Sequence, residues 1–268
     1  MTFLTESRGY TSLTAPQVPA SLGADSVLCL PVGACEQHGP HLPLDTDTTI
    51  AERFTELVVS RYGPSHDLWA LPAIPYGLSL EHGWSPGTVS LSIASFTALL
   101  DDVIRAHLRA TPARRILIVN GHGGNRGILQ TCAQELRDRY PLALGVVHPV
   151  ALSEVRFDGP MPDIHAGVVE TSLMLALAPE RVRLDNLAQD HHAAPHRAES
   201  IRRRIIHRGT TWPWSSDDPA ISSHGVIGAN PRDASPELGW RIIDSALAAL
   251  PDVLATLAST DPQTPERR

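Results

Sequence analysis

The sequence predicts an α/β fold, a mostly parallel β-sheet flanked by helices, on three observations. Short apolar runs of strand length end in glycine or asparagine, as buried parallel strands do. Between them lie segments of about 12 to 15 residues with apolar side chains at helical spacing, so strands and helices alternate. The 268 residues are 42% hydrophobic, enough to bury a sizeable core without a disulfide or metal staple.

Taken in order, residues 1–24 carry Pro16, Pro19 and Gly23 and read as a lead-in segment. Residues 26–33 (SVLCLPVG) read as a buried strand. After a polar loop, 48–62 has helical spacing, with Ile50, Phe54, Leu57 and Val58 on one face. Residues 69–76 read as extended, but Pro72 and Pro75 assign them to a sheet edge or a bulge. Residues 95–110 form a helix with Leu99, Val103, Ala106 and Leu108 roughly on one side. Residues 115–120 (RILIVN) are the clearest strand, followed by a glycine-rich turn and a helix over 126–140. A strand at 142–147 and a helix at 167–178 come next. Residues 186–235 are polar, rich in His, Pro and Arg, and lack periodicity. They read as an excursion that covers a site or meets a neighbouring subunit. Residues 236–257 close with one amphipathic helix (Leu238, Ile242, Leu247, Leu250, Val253), and the last ten residues are expected to be disordered. The whole reads as one domain over 1–258.

Composition excludes several classes. Net charge is −7, and all 22 basic residues are scattered arginines, which leaves no nucleic-acid footprint. No stretch approaches about 18 apolar residues, so no membrane span is expected. Three cysteines without CxxC spacing argue against a thiolate zinc site or a disulfide scaffold. With no apolar signal-peptide run, the expected location is the cytoplasm.

The informative excess is histidine, 13 residues gathered in short motifs. Glu36 and His38 follow the first strand at i, i+2, so extended backbone sends both side chains to one side. Asp47 follows nine residues later, after proline-stiffened chain that can return its carboxylate, while Asp45 and His41 read as loop-shaping neighbours. An imidazole with two carboxylates suits zinc, manganese or ferrous iron; the alternative is a polar loop with a satisfied histidine. Asn120-Gly121-His122-Gly123-Gly124-Asn125 follows the strongest strand and frees the His122 imidazole at the sheet's carboxyl edge. A phosphate-cradling turn is the alternative, but the GxGxxG and GxxxxGK[ST] spacings are absent. His165 precedes the third motif's helix, and Glu170 sits in its first turn at the margin of the buried face. A helix-dipole role for Glu170 is the alternative. Glu81-His82-Gly83-Trp84 offers a substrate wall or a structural loop. Three strand-end motifs that bring histidines and carboxylates together are how a di-metal hydrolase site is assembled.

These motifs resemble the creatininase family of metal-dependent amidohydrolases. The likeness rests on EQHGPHLPLDTD at 36–47, NGHGGN at 120–125 and HAGVVETSLMLAL at 165–177. EHGWSPGT at 81–88 is a looser match, and HGVIGANPRDAS at 224–235 extends it. The resemblance implies a three-layer α/β fold, two divalent metal ions (Zn, Mn or Fe) and a homo-oligomer, a hexamer or octamer. Carried onto this chain, Glu36 and His122 hold one metal, His38 and a further carboxylate hold the other, and Asp47 bridges. Creatininase proper draws that further carboxylate from the position that is Gly124 here, so Glu170 is the expected replacement. His165 matches the family histidine that passes a proton to the leaving nitrogen; His165 and Glu170 are the expected catalytic residues. Gly123 stands where creatininase proper has an aromatic contact, so creatinine is not the expected substrate. His82, Trp84 and Gly123 are the expected substrate-binding residues. Among the branches, PLDTDT, NGHGGN and GVIG are most similar to the peptidase that trims a modified precursor peptide in mycofactocin maturation. The expected reaction is release of a modified C-terminal peptide segment, with a cyclic amide or formamide as the second substrate class. A dinuclear phosphoesterase and a non-catalytic ligand-binding oligomer are the competing readings.

Overall fold

The computed structural model describes residues 8–262, apart from 158, 160, 190–194 and 207–208. β1 (Val27–Val32) runs between two neighbours because both of its faces are apolar: Val27 and Cys29 enter one core, Leu28, Leu30 and Val32 the other. β2 (Leu68–Ala70), β3 (Arg115–Asn120) and β4 (Ala143–Val147) complete a parallel sheet of order β2-β1-β3-β4. β2 is one of the two edge strands and pairs over three residues only, in keeping with the two prolines after it.

Helices cover both faces, giving the expected three layers. Short α1 (Gln17–Ser21) precedes β1. α2 (Thr46–His66) follows it, starting earlier and ending later than its spacing suggested, and stops where Asp67 turns left-handed at φ 49°. α3 (Ile93–Ala110) and α4 (Arg126–Arg139) pack Phe96, Leu100, Ile104, Leu129 and Leu136 on the face that holds Leu28 and Ile116. α5 (Pro149–Leu152) is a single turn after β4. α6 (Val168–Leu177) lies with α2 on the opposite face.

The segment 186–235, left without periodicity by the sequence, contains α7 (Pro195–Arg204). It also builds a small core of its own. Ala198, Ile201, Ile221, Ile227 and Ala229 pack with Met161 and Val168, the latter in the first turn of α6. The single closing helix expected over 236–257 is two helices, α8 (Pro236–Ala248) and α9 (Leu250–Ser259). Pro251 explains the break: it has no N–H to give to the carbonyl four residues back, and its ring clashes there. That carbonyl, on Leu247, accepts the Tyr62 hydroxyl instead at 2.7 Å. Taken together, Pro236–Ser259 are apolar enough to cross a membrane, but Ile242, Ile243, Ala246, Leu250 and Leu254 are buried in the protein's own core. The disordered tail was expected from residue 259; Ser259 instead ends α9, and 263–268 lie outside the described residues.

The sheet places the site. Val32 pairs with Asn120, so the chains leaving β1 and β3 emerge side by side at the carboxyl edge. The first turn of α2 rests directly on them. A Cβ at Gly33 would lie 2.4 Å from Thr48 Oγ1, and one at Gly121 would lie 2.1 Å from the Asp47 carbonyl oxygen. Glycine at both positions is what lets α2 approach closely enough to bring Asp47 over the strand ends.

Candidate metal centre

Five side chains predicted from separate motifs meet at this edge. Glu36, His38, Asp47 and His122 are buried to within a few per cent of complete exclusion from solvent. Asp47 lies between the imidazoles: Oδ1 is 3.3 Å from His38 Nε2 and Oδ2 is 3.0 Å from His122 Nδ1. Glu36 Oε2 lies 3.4 Å from His122 Nε2, and Glu170 Oε2 lies 3.8 Å from His38 Nε2. His38 Nδ1 donates to the Glu36 carbonyl oxygen at 3.1 Å. Nε2 therefore faces three carboxylates, where it carries a proton or, once deprotonated, binds a cation. Both carboxylate oxygens of Glu36, and His38 Nε2, are buried with no hydrogen-bond partner. Acceptors facing acceptors in a dry site are costly unless a positive charge lies among them. Within this cluster, donor atoms of His38, Asp47 and Glu170 gather within 4.8 Å of one another, as do those of Glu36, Glu81 and His122.

The titration of the cluster follows. Burial pushes Glu36 up to about 8, with Asp47 adding to it and His122 and His38 pulling back. Burial likewise raises Glu170 to about 7. Burial opposes ionisation of Asp47 too, yet His38 and His122 hold its carboxyl well below the ordinary range. Those two imidazoles resist deprotonation in return: burial works against their charge, but Asp47, Glu170 and Glu36 lift His38 to about 10, and Glu36 and Asp47 lift His122 to about 10. Positive charge is thus held between the carboxylates, by protons where no cation replaces them.

His165 faces this cluster from beneath α6. Its Nδ1 lies 3.5 Å from Glu36 Oε1 and its Nε2 donates to the Gln37 carbonyl oxygen at 2.7 Å. The carbonyl, an acceptor only, fixes the proton on Nε2 and leaves the Nδ1 lone pair towards the centre. Its ring stacks between those of His82 and His38, with centroids 4.1 and 4.4 Å away. Burial, with the His38 charge beside it, keeps His165 neutral, and burial lowers His82 to about 3.

A cavity of about 840 Å³ opens above the centre, with His122, Gly123, His165 and Glu170 on its floor and Trp212 and Trp214 on its wall. Gly123 lines the cavity, and a Cβ there would meet nothing within 4 Å. His82 touches the cavity but is 1% exposed, 3.6 Å from Glu36, so it belongs as much to the centre as to a substrate wall. Trp84 does not line this cavity. Its indole N–H donates to Ser216 at 2.8 Å and its ring faces a smaller hollow beside Pro40 and Pro86. Of the expected spares, Asp45 pairs with Arg181 and His41 meets Thr171 at 2.8 Å, so both shape the loop.

Sequence reasoning missed five contributors. Gln37 is buried, with its side-chain amide N–H groups directed at His82 Nδ1 (2.9 Å) and the Gly225 carbonyl (3.1 Å), tying three segments together. Asp163 accepts N–H groups of Val168, Val169 and Ala229 and so anchors the α6 turn carrying Glu170; burial raises it to about 6. Ser216 bonds His82 at 2.7 Å, and Trp212 and Trp214 supply the aromatic wall assigned to Trp84. The one available signal was the Trp-Pro-Trp run at 212–214 in an otherwise polar stretch.

A parallel sheet bearing a buried carboxylate–imidazole cluster at its carboxyl edge, beneath an open cavity, defines a metal-dependent hydrolase. The sequence profile described as creatininase, creatinine amidohydrolase, matches residues 11–254, and the chain belongs to that family of amidohydrolases. It is 34% identical over 265 residues to the mycofactocin precursor peptide peptidase of Mycobacterium tuberculosis, covering 94% of this chain and 91% of that one. It is 34% identical over 203 residues to the creatinine amidohydrolase of Pseudomonas putida, covering 68% and 76%. A solved structure titled creatininase Mn superposes with a TM-score of 0.72 at 27% identity, over 94% of this chain and 98% of that one.

Proposed function

We propose that this protein hydrolyses a C–N amide bond near the end of a modified peptide, releasing its C-terminal segment. The observation that carries the chemistry is the buried set of acceptor atoms on Glu36 and His38 that no protein donor satisfies. Glu36 and His122 would hold one divalent ion, His38 and Glu170 a second, and Asp47 turns one carboxylate oxygen towards each imidazole. Zinc, manganese and iron all suit this donor set. Such ions, when bound, polarise the scissile carbonyl and bring the pKa of a bound water to about 7.

The residues of the chain do the rest. His165, its tautomer fixed by the Gln37 carbonyl, presents Nδ1 to the cavity, where it relays a proton to the departing amine. The His82 and His38 rings pack on either side and hold that orientation. Gln37 and Ser216 keep His82 in place, and the Asp163 carboxylate steadies the turn that aims Glu170. For the substrate, a cavity near the upper end of the roughly 300–1,000 Å³ range of ligand sites suits a peptide terminus better than a small ring. The glycine at 123 leaves its floor open, and Trp212 and Trp214 offer flat apolar surface. The mycobacterial relative, matched almost end to end, supports the same substrate class.

We take residues 1–258 as one cytoplasmic hydrolase unit that assembles as a hexamer or octamer. The exposed Trp84, Val89 and Ile93 are apolar side chains that a neighbouring subunit would cover; light scattering measures the size. The activity is tested with metal-loaded protein, offered a peptide carrying a modified C-terminal segment and, separately, creatinine, with products read by mass spectrometry. Cleavage of the peptide without creatine formation is expected. Creatine formation with an intact peptide would move the assignment to cyclic amides.

A further inference from the structure

We propose that Glu81 supplies an additional carboxylate to the ion held by Glu36 and His122, and that glycine at 124 is what admits it. This rests on the two-ion reading above.

Glu81 lies in the short 3-10 turn Leu80–His82, whose next residue, His82, already packs on the centre. The turn is pinned from outside, since the Glu81 carbonyl accepts the Ser216 N–H at 2.9 Å. The Leu78 carbonyl, just before the turn, accepts the His122 Nε2 proton at 2.7 Å, and an ion bound at that nitrogen takes the proton's place. A Glu81 carboxylate oxygen falls within 4.8 Å of the donor atoms of Glu36 and His122. An ion bound at about 2.0 to 2.2 Å is ringed by donors roughly 3 to 4.4 Å apart. The 3.4 Å between His122 Nε2 and Glu36 Oε2 lies within that span. Among the described residues the Glu81 carboxylate has no hydrogen-bond or ion-pair partner. The Glu36 oxygens it approaches are fully buried and equally unpartnered.

Gly124 makes the approach possible. A Cβ there would lie 2.8 Å from Glu81 Oε1, 2.5 Å from His122 Nε2 and 2.4 Å from the Leu78 carbonyl oxygen. A side chain at 124 and the present position of the Glu81 carboxylate therefore exclude one another. Charge points the same way. Glu36, Asp47 and Glu170 alone leave two divalent ions under-neutralised in a dry site, and Glu81 makes the carboxylates four.

The test is metal uptake by the full-length protein, using manganese and zinc alone, measured by elemental analysis and chelator competition. Wild type is expected to bind two ions per chain. Glu81→Gln keeps the size and hydrogen-bonding shape while removing the charge, and it should weaken one of the two sites at least about tenfold while leaving the other unchanged. Glu180→Gln removes an equal charge from an exposed turn away from the centre and should alter neither site. Two sites of wild-type affinity in Glu81→Gln would overturn the role of Glu81 and leave the two-ion reading standing. Fewer than two ions in wild type would overturn both.

Discussion

The centre and its cover are built in opposite ways. Glu36, His38, Asp47 and His122 hang on the ends of two paired strands and the first turn of a 21-residue helix, all packed into the main cores. The cover, residues 209–229, carries no helix or strand and is held by a small separate core and a few polar ties such as Ser216 to His82 and Ile227 to His165. Backbone packed into the main cores therefore carries the carboxylate–imidazole cluster, and loosely tied chain carries residues that wall the cavity. Catalytic geometry tolerates displacement poorly, whereas a cover must change with the substrate it admits.

That division predicts a gradient of effects. The largest falls on Asp47, which touches both imidazoles: Asp47→Ala should lower kcat/KM by about a thousandfold or more and strip bound metal, read by steady-state kinetics and elemental analysis. Retention of both ions and of activity would break the assignment of the centre. His165→Ala should lower kcat about a hundred- to a thousandfold with the metal content intact, because the residue moves a proton and holds no ion in this scheme. Trp212→Ala, in the cover, should raise KM about tenfold with kcat nearly unchanged. A matching fall in kcat would show that the cover shapes the reacting geometry as well.

The smallest effect is expected at the far end of α2, where Asp67 accepts from Arg8, Ser26 and Trp69. Burial opposes ionisation there, but those bonds outweigh it and hold the carboxyl below its usual range. A lowered folded-state pKa stabilises the protein above the unfolded value of about 3.9 and ceases to do so as pH falls through the folded value. Asp67→Asn tolerates the same left-handed backbone. It should cost about 1 kcal/mol at pH 7, and the gap from wild type should close towards pH 2 in denaturant titrations. A gap that is constant with pH would mean that the hydrogen bonds matter and the charge does not.

The same contrast explains what could be read in advance. β1 and β3 matched their apolar runs because a strand buried on both faces reads as a near-continuous apolar run. Glu36, His38, His122 and Glu170 were visible because short motifs at strand ends and helix starts fix where a side chain leaves the backbone. Ser216 in the cover and Gln37 in the centre were not visible as contributors, since they act through partners 134 and 188 positions away. No local pattern records such pairings. Trp84 was misread for a related reason, since a hydroxyl far along the chain claims its indole N–H, whereas the helix break at Ala249 has a local cause in the ring of Pro251.

By itself the sequence determined the alternating strands and helices, the family, and the motif residues that meet at the carboxyl edge, because each is written in a period or in a motif only a few residues long. The tertiary structure alone decided which imidazole faces which carboxylate, that Trp212 and Trp214 rather than Trp84 wall the cavity, and that Glu81 reaches the space Gly124 leaves open. Those are distances between segments far apart in the chain, and they are set by how the helices and the covering chain pack on the sheet.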